Sequence, residues 1–524
     1  MNGVGFLLVV IGAVAVTAAA HRRGWPAALV VVVVASVVSF VPGMPRLELP
    51  AELILAVVLP PLLYSAALET SFVSFRRDLW PILSLGVGLV LFSAVAVGLY
   101  AFWLIPALML GSAFILGAVL APSDAVAAVA LGRKLKLPSR LMTVLTGESL
   151  VNDAVALVTF QVAVAAVVGT RPVIGQPVLL ALYATTVGVL VGLAAGLVVH
   201  HLRPRLRDAA LETVLGALVP FVAYLAAEQL QASGVLAVVT AGFWVGHHSV
   251  GAAFATRLQS RQVWRTADLV LEAFVFAYMG LQVRFILRDA TQEAAPVLLM
   301  ASVGLVLLAV ILIRPLWIFS ALALAGRRSL WKYGVVLSWT GMRGVVTLAA
   351  AAGIPAMTAA GQPTPNRNLI QALALSVAVL TILLQGATLQ PLVRSLHIEN
   401  AAERRMADAA LNRALQVARR AARQVTERAA ASKDGAEAAA VELVERRVEH
   451  MLTAGPKRMD ENEDMRGVLH QPTHELVQQI LAQQRKALIR ERDLGHLDDE
   501  VLRAVLQQLD YEEVAACTDL QTRL

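Results

Sequence analysis

Apolar residues come in long blocks along this chain. Charged or Pro/Gly-containing breaks divide them into windows near residues 3–20, 26–42, 50–69, 79–104, 107–131, 139–168, 177–199, 211–230, 233–247, 267–287, 295–325, 333–353 and 368–394. Most windows are long enough to carry one helix across a hydrocarbon core of about 30 Å. A segment surrounded by lipid must satisfy its own backbone, which helices do. The pattern therefore predicts an all-α polytopic membrane protein with about 13 transmembrane helices. Beyond His397 the pattern changes to polar, Ala/Arg-rich stretches, with helical windows near 399–431, 437–452, 473–493 and 497–516. This predicts a transmembrane domain over residues 1–397 and a helical tail over 398–524.

Composition agrees with that division. Of 524 residues, 58% are hydrophobic and 15% charged, and the mean hydropathy is +0.68, values foreign to a soluble domain. The tail holds 19 basic and 23 acidic residues, leaving 25 and 14 for the membrane part. The basic excess thus belongs to membrane loops and is no argument for nucleic acid. It also alternates. Connections after odd-numbered windows contain 17 Arg or Lys and those after even-numbered windows 5. The positive-inside rule then puts the N-terminus outside and the tail in the cytoplasm of a plasma (inner) membrane protein. The single Cys517 excludes an internal disulfide and a cysteine-rich metal site. The first apolar window has no basic segment before it and reads as a retained span rather than a cleaved signal.

Two windows carry helix breakers at mid-span. In Ala121-Pro122-Ser123-Asp124 the proline removes a backbone donor and should interrupt the helix just before Asp124. In Ser338-Trp339-Thr340-Gly341-Met342-Arg343-Gly344, two glycines flank an intramembrane arginine and leave the helix easily unwound. A pair of discontinuous helices seven windows apart, and so in opposite orientation, points to a secondary transporter with inverted repeats.

Between them lies the densest polar chemistry in an apolar span, Thr146-Gly147-Glu148-Ser149-Leu150-Val151-Asn152-Asp153. Ser149 and Asp153 are four residues apart, as are Glu148 and Asn152, so two adjacent helical stripes carry all four groups. Groups of this kind in mid-membrane must face protein or water. One of them alone would be ordinary helix-packing glue; four in six residues suggest that something polar is handled. Asp153, Asp124, Ser123, Ser149 and Asn152 form an oxygen-rich set suited to a hard cation such as Na⁺, placed at Asp153 and Asp124. Desolvation favours a neutral acid whereas a bound cation favours the carboxylate, so a proton and a metal ion compete for one such site. Arg343 needs an anion at this depth; Glu148 is the chosen partner, as a structural ion pair, with Asp153 as the competing pairing. Glu69, Glu228, Glu272 and Arg314, inside or at the edges of spans, and Asp268, at an interface, read as boundary or packing residues.

The motifs Gly147-Glu148-Ser149-Leu150-Val151-Asn152-Asp153, Pro122-Ser123-Asp124-Ala125-Val126-Ala127 and Gly341-Met342-Arg343-Gly344 resemble those of the monovalent cation:proton antiporters, electroneutral sodium/proton exchangers of bacterial type. Leu59-Pro60-Pro61-Leu62-Leu63 and Gly280-Leu281-Gln282 look like further signatures of that family. The resemblance covers roughly residues 5–396. It implies a thirteen-span fold with two six-helix inverted repeats, a homodimer and elevator-like alternating access. By position Asp153 resembles the family's essential ion-binding aspartate, with Asp124, Ser123 and Ser149 around it. Asn152 stands where electrogenic relatives carry a second aspartate, implying one cation for one proton. Glu148 and Arg343 resemble the family's structural ion pair. The chain departs from the family where Pro122 precedes Ser123-Asp124, and where Tyr64-Ser65 replaces an acidic residue that many members carry; both bear on Na⁺, Li⁺ or K⁺ preference.

The function expected is Na⁺/H⁺ antiport serving pH and sodium homeostasis, with a cation channel or a K⁺-selective proton antiporter as the alternatives. No nucleotide, calcium, zinc-peptidase or ATP-pump motif occurs, so no resident cofactor is expected; Na⁺ and H⁺ are cargo, and the lipid bilayer is the solvent.

Overall fold

The computed structural model describes residues 3–44, 46–47, 53–124, 129, 132, 135, 137–169, 177–206, 208–249, 253–293, 295–397, 401–430 and 471–521. Those residues are helical apart from turns, loops and one isolated bridge. The tail window 437–452 and the basic connection at Arg133, Lys134 and Lys136 lie outside the described residues.

In chain order the first helices are α1 (Gly3–Arg22), α2 (Ala27–Ser39), α3 (Ile54–Glu69), α4 (Phe72–Arg77), α5 (Leu79–Leu104) and α6 (Leu110–Leu120). Next come α7 (Ser139–Val168), α8 (Pro177–Leu206), α9 (Ala209–Gln229), α10 (Gly234–His248), α11 (Phe254–Glu293) and α12 (Pro296–Leu324). The second break separates α13 (Trp331–Trp339) from α14 (Val345–Ala352), and α15 (Arg367–Leu396) follows. Eight helices among the described residues are long and apolar enough to cross a membrane: α1, α5, α7, α8, α9, α11, α12 and α15. Their outward faces stay apolar, as Leu7, Leu8 and Ile11 on α1 and Leu308, Leu312 and Leu316 on α12 show, which suits lipid.

Local sequence explains the irregular helices. Pro60 and Pro61 offer no N–H to the turn before them, and α3 opens there into a π turn over Ile54–Val58. α6 stops at Leu120, ahead of Pro122, and residues 122–124 are not helical. α11 differs from its apolar window 267–287: it starts thirteen residues earlier, at Phe254, and runs 40 residues. Arg257, Arg261 and Arg265 end the apolar stretch without ending the helix, because arginine is a good helix former and a charge penalises only burial in lipid.

The chain divides into two compact units: Met1–His248 with Gln259–Ile398, and Ser249–Leu258 with Glu399–Leu524. The three largest buried apolar clusters lie in the first. α7 contributes to each, through Leu145, Phe160 and Leu150, and so does α14, through Leu348, Ala350 and Val346. The long α7 and the short α14 therefore sit where these clusters meet. In the second unit α16 (Ala401–Ala430), α17 (Gln471–Asp493) and α18 (Asp499–Gln521) pack on one another. Ala414 and Ala418 meet Leu481, Leu488, Leu502 and Leu506. The apolar stripe of the Arg-rich α16 is thus used within the unit. Asp510 accepts hydrogen bonds from both Arg257 and Arg485.

Candidate functional site

α7 presents its two polar stripes to different surroundings. Consider the Glu148/Asn152 stripe first. Arg314 of α12 grips both Glu148 oxygens, with Nη1 to Oε1 at 2.5 Å and Nη2 to Oε2 at 2.8 Å. Ser123 Oγ donates to Glu148 Oε1 at 2.7 Å. Asn152 Nδ2 donates to Ser123 Oγ at 3.0 Å and to Ser123 carbonyl at 2.8 Å. Arg314 Nε donates to the Leu337 carbonyl at 2.7 Å, near the end of α13. All of these side chains are buried: Glu148 is 2% exposed, Arg314 3% and Asn152 0%. The stripe is dry, and its charges are matched by a two-pronged pair, the strong form of a carboxylate contact.

The ion pair therefore differs from the one expected. Glu148 pairs with Arg314, not Arg343. Arg314 is the only charge in the 29-residue α12, and an arginine so placed must find an anion inside the bundle. The planar fork reaches Glu148 because Gly341 leaves room for it: a Cβ there would lie 2.6 Å from Arg314 Cδ. Arg343 is also buried, 3% exposed, with its backbone N–H on Thr381 Oγ1 at 3.0 Å and no acceptor for its Nε among the described residues.

The breaks meet each other directly. The Asp124 N–H donates to the Met342 carbonyl at 2.7 Å, joining the end of α6 to the gap between α13 and α14. Gly344 is packed so tightly on Asp124 that any Cβ would overlap the carboxylate. With an extended backbone at φ −142°, ψ −135°, Gly344 then starts α14.

The Ser149/Asp153 stripe faces a cavity with about 160 Å³ open to the centres of water molecules. Its walls come from α3, the first break, α7, α11 and α14. They include Asp153, Asp124, Ser123 and Ser149, together with Ser65, Glu69, Thr146, Asp268, Glu272 and Thr347. Among the described residues five carboxylates line it and no lysine or arginine does. Asp153, 6% exposed, has no hydrogen bond or ion pair among the described residues, with Asp124 and Glu148 the acids in electrostatic reach. Ser65 Oγ donates to Asp268 Oδ1 at 2.7 Å. Such a wall attracts cations and offers oxygen donors only.

The structure brings Asp153, Asp124, Ser123 and Ser149 to one cavity. Asn152 departs from this group: one residue before Asp153, it is rotated about 100° around the helix, spends its amide on Ser123 and does not line the cavity. Sequence reasoning missed Ser65, Asp268, Glu69 and Glu272 as cavity residues and Arg314 as the partner of Glu148. Only Arg314 carried a usable signal, as the one charge in a long apolar run.

A model of the transmembrane sodium/hydrogen exchanger family matches residues 5–395. The chain belongs to that family. The family assignment agrees with the eight apolar helices, and the protein is a multi-pass membrane protein of ion-transport type. A Mycobacterium tuberculosis protein called an uncharacterized Na⁺/H⁺ exchanger is 31% identical over 98% of this exchanger and 96% of its own length. The sodium, potassium, lithium and rubidium/H⁺ antiporter of Bacillus pumilus is 32% identical, covering 70% of this chain and 57% of its own. The fold is similar to that of the sodium proton antiporter MjNhaP1 from Methanocaldococcus jannaschii, with a TM-score of 0.61 at 18% identity, over 75% of this chain and 98% of that one.

Proposed function

We propose that this exchanger is a secondary antiporter that trades Na⁺ for H⁺, one for one and without net charge movement, by competition of the two at Asp153. One observation carries the reading. Of the two buried acids on α7, Glu148 is neutralised by Arg314 while Asp153 faces an acid-lined cavity without a partner among the described residues. A buried carboxylate left without a counter-ion is stable either protonated or with a cation, and never bare. Asp124, Ser123 and Ser149 would add oxygens around that cation.

The neutral Asn152 amide, already engaged by Ser123, leaves one acid to titrate on this segment and supports electroneutral 1:1 exchange. Alternating access then follows from moving the tied breaks together, in a fold of thirteen spans with two inverted repeats. In the same reading residues 1–397 form the transport domain of a homodimer in the plasma (inner) membrane. The N-terminus lies outside and the tail, 398–524, in the cytoplasm. The role is pH and sodium homeostasis. The Bacillus pumilus relative's name spans several alkali cations, so Li⁺ and K⁺ belong beside Na⁺ among the substrates.

The test is cation-driven dissipation of a pH gradient in proteoliposomes, with Na⁺, Li⁺ and K⁺ in turn and the voltage clamped by an ionophore. Exchange that ignores the voltage is expected for wild type. A steady uncoupled current would replace antiport by a channel, and exchange with K⁺ alone would make the protein a potassium/proton antiporter.

A further inference from the structure

The site as read from sequence draws its oxygens from the first break and from α7. The geometry points to Thr347, on α14 beyond the second break, as a further cation-coordinating residue whose hydroxyl joins Asp153, Asp124 and Ser149 around the transported ion. The inference rests on the antiport reading, and deepens it by giving the site a ligand from each discontinuous helix.

Two independent observations support it. Thr347 lines the acid-walled cavity. Its Oγ1 is buried, in a residue only 1% exposed, and has no hydrogen-bond partner among the described residues. Several helical threonines elsewhere avoid that state: Thr143, Thr159, Thr213 and Thr266 each donate to the carbonyl four residues back, whereas Thr256, outside the cavity wall, shares it. Thr347 has no such outlet. The residue four back is Arg343, which precedes the extended Gly344 and lies outside α14, so its carbonyl is not in helical register. A buried hydroxyl without a partner is costly, and an apolar group of the same shape is often as stable or more so. Valine is that group, and the two preceding residues, Val345 and Val346, show that this helix accepts it. The hydroxyl is therefore retained for something that enters the cavity.

Its chemistry suits a metal ion rather than a proton. A hydroxyl oxygen is a hard, uncharged donor with lone pairs to give, and it takes up no proton at physiological pH. Thr347 thus strengthens cation binding without adding a second titrating group, so it tilts the competition toward the metal and leaves the exchange ratio at one to one.

The full-length protein is tested in two ways: exchange in proteoliposomes against Na⁺ and Li⁺ concentration, and thermal unfolding in detergent with NaCl against choline chloride. Thr347→Val is expected to raise the apparent KM for Na⁺ about tenfold, equivalent to one step of affinity. The loss should fall on KM rather than on the maximal rate, and most of the Na⁺-dependent rise in Tm should disappear. Thr347→Ser should restore both, and Thr347→Ala stands in should the valine variant misfold. A valine variant with wild-type KM and wild-type Tm response overturns the inference, because a hydroxyl held only by water gives that result. If wild type shows no exchange but its Na⁺-dependent Tm rise is lost in Thr347→Val, the ligand stands and the antiport reading falls.

Discussion

The two polar stripes of α7 are one residue apart in sequence and opposite in physical state. Glu148 and Asn152 are locked: Arg314 and Ser123 match both Glu148 oxygens, and the Asn152 amide nitrogen donates to Ser123. Ser149 and Asp153 look into an open, acid-walled space. In the proposed mechanism a single helix thus separates holding the bundle together from handling ions, using nothing more than the 100° step between neighbours. The difference teaches that a buried acid is informative only together with its partner. Glu148 and Asp153 are about equally inaccessible, at 2% and 6%. Only the matched one is structural.

Substitutions can break or sharpen that contrast. The largest effect on transport is expected at Asp153. Asp153→Asn should reduce cation-dependent pH-gradient dissipation to the level of empty liposomes, with an unchanged gel-filtration profile. Exchange surviving in that variant would remove Asp153 from the mechanism. On the locked stripe the order of effects reverses. Glu148→Ala strands the Arg314 charge in a dry interior, at a cost of roughly 3–5 kcal/mol. A loss of folded protein and a drop in Tm should therefore accompany any loss of exchange. Joining it with Arg314→Leu should recover much of the Tm, since removing both charges costs far less than removing one.

Smaller effects should come from the edges of the contrast. Gly344→Ala places a methyl group against the Asp124 carboxylate and must push it aside. Exchange should slow and KM for the cation rise, with Tm changed less than in Glu148→Ala. Ser65→Ala removes the hydroxyl that holds Asp268 at the cavity wall, an interaction worth about 1 kcal/mol. The expected result is a KM shift of about fivefold or less with the maximal rate kept, read in the same proteoliposomes.

Local chemistry made part of this legible before any coordinates. The stripes follow from four-residue spacing, and the breaks from Pro122 and from Gly341 and Gly344, all of which act within one or two turns. The length of α11 was not legible, because hydropathy marks where a helix leaves lipid rather than where it ends. The partner of Glu148 was not either. Arg343 shares a motif-rich segment with the breaks, whereas Arg314 sits 166 residues from Glu148 in an otherwise plain apolar run; only packing brings them together. Asp268 and Glu272 looked like ordinary boundary acids for the same reason. Their presence in the cavity depends on how α11 lies against α3, which no periodicity records.

The link between the Asp124 amide and the Met342 carbonyl is made by main chain alone. Neither side chain takes part in it, so a substitution that the packing accepts, short of a proline at 124, leaves its donor and acceptor in place. Evolution and the protein engineer therefore inherit a fixed mounting on which ligands can be swapped one at a time. Retuning the protein for another alkali metal is consequently a matter of fittings, not of rebuilding the frame.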